Sequence, residues 1–258
     1  IAPLHGPLLN ENLGYYINLY NIWSSYQYEV DGLLIASASA HGNTYNAAKY
    51  LYELAIENNI NTKSGLEAKD YLHKRGLSDE DINKFRIGLS LDEPATLKNI
   101  LEKKGYTIKT IEDLGLVNNV DGKFFDVFRG RIMFPLYDTE GHVIGYSARI
   151  YRGEAVAKYI NTKETYLYKK GNYLYNYHLA KDEAKRSKKL IIVEGQMDAI
   201  RLYINGVKNV IALMGTALTK EQIDLIKRLR PLVILASDGD EAGETATLKN
   251  GDLSLNSY

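Results

Sequence analysis

Two apolar runs in the last third of the chain set the frame. Residues 190–193, Leu-Ile-Ile-Val, are followed by Glu194 and Gly195, and residues 232–236, Leu-Val-Ile-Leu-Ala, run on to Asp238, Gly239 and Asp240. An unalternating stretch of Ile, Val and Leu is the pattern of a fully buried parallel strand. Between the two lie "MDAIRLYING", "NVIALMG" and "TKEQIDLIKRL", so the order from Lys189 is strand, helix, strand, helix, strand. That order predicts a parallel sheet built from two crossovers. Upstream, "SGLEAKDYLHKRGLSDEDINKF" predicts two short helices, with Gly76 as a stop and Ser78 as an N-cap ahead of Asp81. The runs "RIMFPLYD" and "HVIGYSARIY" flank Thr139-Glu140-Gly141 and predict an antiparallel hairpin. Near the amino end, Leu33 to Ala36 predicts a buried strand. A loop from Ser37 to Thr44 and an amphipathic helix follow, a combination whose free N–H groups can cradle a phosphate.

Both apolar runs of the last third end in acids, which needs a reason. An unpaired carboxylate at the edge of an apolar core is costly, and a divalent cation is an economical partner for three of them. If the strand order is 2-1-3, the strand ending in Glu194 lies beside the one ending in Asp238 and Asp240, and all three acids face one site. Oxygen ligands of this kind suit magnesium or manganese, and the chemistry they favour is phosphoryl transfer or phosphodiester cleavage. Asp198, four residues after Glu194, falls on the first turn of the helix and is expected to support the site. A single acid at a strand end is more often a helix cap or a turn residue. The combination of three acids with Gly215-Thr216 and Gly243 at the same edge outweighs that reading.

Composition narrows the classes. The chain has 258 residues, 45% hydrophobic and 25% charged, which is ordinary globular usage. No run approaches the roughly 18 apolar residues of a membrane span, and no basic-then-apolar leader opens the chain, so a cytoplasmic protein without membrane attachment is expected. Cysteine is absent, which removes disulfides and thiolate zinc sites. Thirty-two basic and 32 acidic residues cancel, so a polyanion would be held by a local patch.

The segments "VEGQMDAI", "NVIALMGTALTKEQIDLI" and "VILASDGDEAG" resemble the Toprim domain of bacterial DnaG-type primases. "AKDYLHKRGLSDEDINKFRIG", "RGRIMFPLYDTEGHVIGYSARIY" and "KYINTKETYLYKKGNYLY" resemble the rest of that family's RNA-polymerase core. The resemblance implies an α+β fold with an α/β part, in which a mixed basic subdomain over 58–185 precedes a Toprim parallel sheet with flanking helices over 186–258. It implies a primase, a metal-dependent nucleotidyltransferase of DNA replication that makes short RNA primers. Glu194, Asp238 and Asp240 would hold Mg2+ or Mn2+, with Asp198 supporting them. Arg129, Arg131, Arg149, Lys158, Asn161 and Lys170 would grip single-stranded DNA template and ribonucleoside triphosphates. Tyrosines at 159, 166, 168, 173 and 175 interleave with these basic residues, as base stacking or core packing would use them. In the family a further acidic pair follows and completes the metal site. Asp252 does not match it, so impaired activity is expected of the chain as written. A replicative helicase is the family's partner, although its usual contact region is not represented.

Residues 1–57 resemble something else. His5, within "HGP", and Ser37, Ser39, His41, Gly42, Asn43 and Thr44 match parts of flavodiiron proteins, the first an iron ligand and the rest an FMN-phosphate loop. The other iron ligands and the loops that clamp the flavin ring have no counterpart, so FMN is not expected to bind. Three function classes follow: a primase, a nucleic-acid-binding remnant of its fold with weak turnover, and a flavin-binding redox fragment.

Overall fold

The computed structural model describes residue 53 and residues 56–153, 157–215 and 218–236. The strand expected at 33–36, the loop 37–44, His5, Asp238, Asp240, Gly243 and Asp252 lie outside the described residues. The described chain divides into two compact units that interleave along the sequence. One takes residues up to 135 and again 146–165, and the other takes 136–145 and everything from 166 onward.

In the first unit the two expected helices form as α1 (Leu66–Lys74) and α2 (Asp79–Lys84). Gly76 stands between them at φ +85°. Ser78 opens α2 with a capping box: its Oγ accepts from the Asp81 N–H, and the Asp81 carboxylate accepts from the Ser78 N–H. Strand β1 (Gly88–Ser90) follows and passes so close to the helical residues 56–60 that a Cβ on Gly88 would lie 2.5 Å from the Ile56 carbonyl, which only glycine avoids. Arg86 pins the same helical residues. Its Nε donates to Glu57 at 2.5 Å, and its Nη1 meets Glu53 at 2.6 Å.

Helices α3 (Thr96–Lys103) and α4 (Ile108–Asp113) and the hairpin β2 (Val117–Val120) and β3 (Lys123–Asp126) come next. The sequence pattern did not announce these four elements, because each is short and only α3 carries a clear apolar stripe. Strands β4 (Arg131–Tyr137), β5 (Val143–Ile150) and β6 (Tyr159–Asn161) complete a sheet of order β1-β4-β5-β6. The strands β4 and β5 of the expected hairpin are neighbours in it, and the outer pairs β1–β4 and β5–β6 are antiparallel. The turn at 139–141 is held by Asp138, whose Oδ1 accepts from the N–H groups of Glu140 and His142, and Gly141 adopts φ +92°.

The second unit opens with that hairpin tip and continues through α5 (Tyr177–Ser187), a helix hidden in sequence by its lysines and tyrosines. Lys181 of α5 donates to the Thr139 carbonyl at 2.6 Å, and the His178 ring lies 4.4 Å from that of Tyr137. Burial lowers the His178 pKa to about 4, so its ring is neutral at pH 7. Then β7 (Lys189–Val193), α6 (Gln196–Ile204), β8 (Val210–Ala212), α7 (Lys220–Lys227) and β9 (Leu232–Ala236) alternate as expected. The three strands form a parallel sheet of order β8-β7-β9, the 2-1-3 order on which the acid cluster depends. Leu190 and Ile192 of β7 join Ile211, Leu213, Ala180, Ala184, Ile223 and Ile226 in one core.

One expectation fails here. Strand β9 is not fully buried: Leu232 is 64% and Ile234 39% exposed, while Val233 and Leu235 pack on the core. Among the described residues β9 is bonded along one edge only, to β7, and no described helix covers the face that carries Leu232 and Ile234.

Asp126, at the end of β3, yields a pH prediction. Its carboxylate is buried and accepts from the N–H groups of Leu97 (2.9 Å) and Lys98 (3.0 Å), capping α3 from 29 residues away. Burial raises its pKa to about 6, against the opposing pull of those two N–H donors. The folded chain therefore keeps a proton that the unfolded chain has released, and stability falls as pH rises from about 4 to about 6. Thermal melts of Asp126→Asn and the parent across this range should show the variant gaining relative to the parent as pH rises. A constant difference would refute the assignment. Ser78→Ala should cost about 1 kcal/mol at any pH in the same range, since it removes a cap and no buried charge.

Candidate functional site

The strand register of the second unit builds one edge of the site. Val193 pairs with Ala212 on one side and Ala236 on the other, so the three strands end flush. Beyond that line, Glu194 follows β7 directly, and Asp238 follows the end of β9 by two residues. The loop after β8 is tied to the loop after β7: the Leu213 N–H donates to the Val193 carbonyl at 3.1 Å and the Met214 N–H to the Glu194 carbonyl at 2.9 Å. Met214 and Gly215 turn away with φ +61° and +81°.

Gly195 is the N-cap of α6, with φ −111° and ψ 150°, and Asp198 lies in the first turn, where an acid faces the positive helix end. A Cβ at 195 would stand 2.7 Å from Asp198 Oδ2, so the missing side chain is what lets this carboxylate lie back over the strand end. Glu194 is half-buried and Asp198 exposed. Among the described residues no three His, Asp or Glu side chains converge. Of the four acids expected at this edge, Glu194 and Asp198 are the two among the described residues. Both offer only oxygen, the donor that magnesium and manganese take, so this part of the donor set fits such an ion.

The first unit holds the basic candidates other than Lys170, and the structure separates them by what each guanidinium or ammonium touches. Arg149 is 5% exposed and has no carboxylate partner among the described residues. Its Nε donates to the Tyr71 hydroxyl and its Nη1 to the Tyr159 hydroxyl, each at 2.5 Å. Its carbon centre lies 5.5 Å from the Tyr71 ring and 4.8 Å from the Tyr159 ring, and Arg75 stands 5.4 Å from the Tyr71 ring. The result is a contact series Arg75, Tyr71, Arg149, Tyr159. Desolvation opposes the charge on Arg149, but the two tyrosines outweigh it and its pKa is raised. Burial also raises the Tyr159 pKa, so its hydroxyl stays neutral.

One rung along the β5–β6 ladder the pattern of unmet polar groups continues. Ser147 pairs with Asn161 as Arg149 pairs with Tyr159, and residues two apart on a strand share a face. Ser147 Oγ and Asn161 Oδ1 are both buried with no hydrogen-bond partner. An unpartnered hydroxyl and amide oxygen beside a buried guanidinium with no carboxylate partner among the described residues make a face suited to a ligand that carries both an anionic group and a hydrogen-bond donor.

Arg131 is engaged elsewhere. Both its terminal nitrogens donate to the Ala157 carbonyl at 3.2 Å, which fixes the backbone just before Lys158. Arg129 and Lys158 are exposed in this unit, and Lys170 is exposed in the other. Of the five interleaved tyrosines, Tyr168, Tyr173 and Tyr175 are core residues at 2–5% exposure, Tyr159 is in the arginine series, and Tyr166 is 82% exposed. Tyr71 and Arg75 escaped the sequence reading. Their spacing of four on α1 places them on one helix face, but nothing in the sequence says that Arg149 meets that face.

Comparison with known proteins finds two family models along the chain. A model of the DNA primase catalytic core, N-terminal domain, matches residues 55–181, and a Toprim domain model matches residues 188–256. A DNA primase of Staphylococcus epidermidis is 41% identical over 199 residues, 76% of this chain and 33% of that protein. The chain thus spans about a third of the length of the curated relatives it matches. Among solved structures, the RNA polymerase domain of Mycobacterium tuberculosis primase DnaG matches with a TM-score of 0.76 and 29% identity, over 81% of this chain and 70% of that one. A DnaG primase catalytic domain bound to single-stranded DNA matches with a TM-score of 0.73 and 31% identity, over 81% and 66%.

Gly195→Ala is a clean probe of the acidic edge. The backbone angles at 195 accept alanine, so thermal stability should change by less than about 1 kcal/mol. The added methyl should push the Asp198 carboxylate aside and weaken manganese binding by about tenfold. Calorimetric titration of parent and variant with Mn2+ checks this, and unchanged affinity would show that Asp198 has no part in holding the ion.

Proposed function

The chain belongs to the DnaG-type DNA primase catalytic-core family, and from that premise we propose that it joins ribonucleotides into short primers on single-stranded DNA. The observation that carries the reading is the register of β7 between β8 and β9. It sets Glu194 at a strand end flush with the one that leads to Asp238 and Asp240. In this reading Glu194, Asp238 and Asp240 hold the divalent ion, magnesium or manganese, and Asp198 orients around it. A bound divalent ion supplies Lewis acidity and neutralises phosphate charge.

The side chains do the rest. Arg149 offers the guanidinium nitrogen it has not used to a phosphate oxygen, in a place where burial makes such a contact strong. On the same face Ser147 Oγ donates to a phosphate oxygen, whereas Asn161 Oδ1 accepts from a hydroxyl or N–H elsewhere on the ligand. Arg131 acts one step removed by fixing the backbone before Lys158; the ammonium groups of Lys158 and Lys170 and the guanidinium of Arg129 supply positive charge for a polyanion. Because the overall charge is nil, binding rests on these groups and should be strongly salt-dependent. Single-stranded DNA and ribonucleoside triphosphates are the proposed partners, and the cytoplasm is the compartment that holds both. Among the described residues no helix is long and apolar enough to cross a membrane, which accords with that compartment.

The test is direct. The chain incubated with a single-stranded oligonucleotide, Mn2+ or Mg2+ and labelled ribonucleotides should yield short RNA. Glu194→Gln and Asp240→Asn should each lower the yield by about a hundredfold or more, and Asp198→Asn by about tenfold to a hundredfold. Binding of the oligonucleotide without synthesis in either ion would favour a remnant that keeps the fold and has lost turnover. Unchanged synthesis by Glu194→Gln would overturn the acid assignment.

A further inference from the structure

Tyr71 has no role in the reading above, yet it touches two cations at once. It lies on α1, and its hydroxyl accepts from Arg149 Nε at 2.5 Å. Its ring lies 5.5 Å from the Arg149 guanidinium carbon and 5.4 Å from that of Arg75. A guanidinium has five N–H bonds in a rigid planar fork, and two fixed bonds set its plane and its remaining direction. Tyr71 fixes Nε and Tyr159 fixes Nη1, which leaves Nη2 without a partner among the described residues. Arg149 is 5% exposed, so this nitrogen points where it does because the tyrosines hold it, and no carboxylate among the described residues competes for it.

We propose that Tyr71 is a positioning residue for phosphate recognition: it orients the Arg149 guanidinium so that Nη2 meets a phosphate oxygen, and its ring stabilises the charge of Arg149 and Arg75. The inference rests on the reading of Arg149 as a phosphate ligand and adds a residue that acts through it. Geometry supports it from a second side. Ser147 Oγ, without a partner among the described residues, lies one rung away on the strand face that carries Arg149 and can donate to the same phosphate, while Asn161 Oδ1 beside it can accept from a hydroxyl or N–H of the ligand. A tyrosine kept only for packing would need no hydroxyl here. Phenylalanine would fill the same volume and strand Nε in a buried place.

The phosphate can belong to a nucleoside triphosphate or to the backbone of a DNA strand, and two titrations of the full chain distinguish them. One uses fluorescent ATP with Mn2+, and the other a labelled oligothymidylate, each at two salt concentrations. Tyr71→Phe should weaken the arm that Arg149 serves by about fivefold. Because no charge is lost, the slope of log Kd against log salt should stay at the parent value, whereas Arg149→Ala should flatten it by about one. In an Arg149→Lys background, where no Nε remains to be held, Tyr71→Phe should change affinity by less than about twofold. Tyr71→Leu, which also removes the ring, should weaken binding further. If it fails to fold, the phenylalanine variant decides alone.

Parent affinity in both arms for Tyr71→Phe would overturn the proposal, as would an equal loss in the Arg149→Lys background. If Arg149→Ala weakens binding while Tyr71→Phe does not, only the positioning role falls. If Arg149→Ala also binds both ligands as the parent does, the reading of Arg149 as a phosphate ligand falls, and the role of Tyr71 falls with it.

Discussion

Backbone hydrogen bonding of β7 on both its edges is the constraint from which the acidic edge follows. A parallel strand paired on two sides cannot slip by one residue without turning every side chain to the opposite face. Val193 is locked against Ala212 and Ala236, and the next residue has to be the one that leaves the sheet. The tie from the Met214 N–H to the Glu194 carbonyl then fixes the direction in which it leaves. The carboxylate is therefore placed by the ladder and by its own backbone, and α6 contributes through Gly195, which has no side chain to intervene.

The basic side is organised on a different principle. Burying a guanidinium is costly, and proteins commonly offset the cost with a carboxylate. Arg149 has tyrosine hydroxyls and ring faces instead, which support its charge without neutralising it. A carboxylate would satisfy the arginine and end its usefulness, while tyrosine leaves it able to attract an anion. Arg131 shows the contrast, because its two nitrogens are both given to one carbonyl and it serves the backbone.

Much of this was legible in the sequence, and the residues show why. The order of strands and helices after Lys189 could be read because each element there has an unbroken apolar run or a clear helical stripe. The cap at Ser78 and the turn at Gly141 are local chemistry and were read as such. What escaped was non-local or marginal: the short elements between Gly88 and Asp126, the basic helix α5, and the meeting of Tyr71 with Arg149 across 78 residues. The burial of β9 was overestimated because an apolar run reports only that its strand pairs and packs, and cannot say that both of its faces are covered. The family match covers 55–181 and 188–256 and leaves the flavodiiron-like residues before it outside both models.

The interleaving of the two units bears on how the chain can be taken apart. The hairpin tip 136–145 packs with the later unit although it is written inside the earlier one. A single cleavage between 145 and 166 leaves the later unit without the loop that receives Lys181. A cleavage before 136 leaves the earlier one without β5 and β6, and so without Arg149. Neither unit can be recovered whole as one continuous segment. On the ribosome the tip emerges about 20 residues before the body it belongs to begins at 166, and it has to wait for α5 to be made. Each unit is thus discontinuous in sequence, and the two have to be made together.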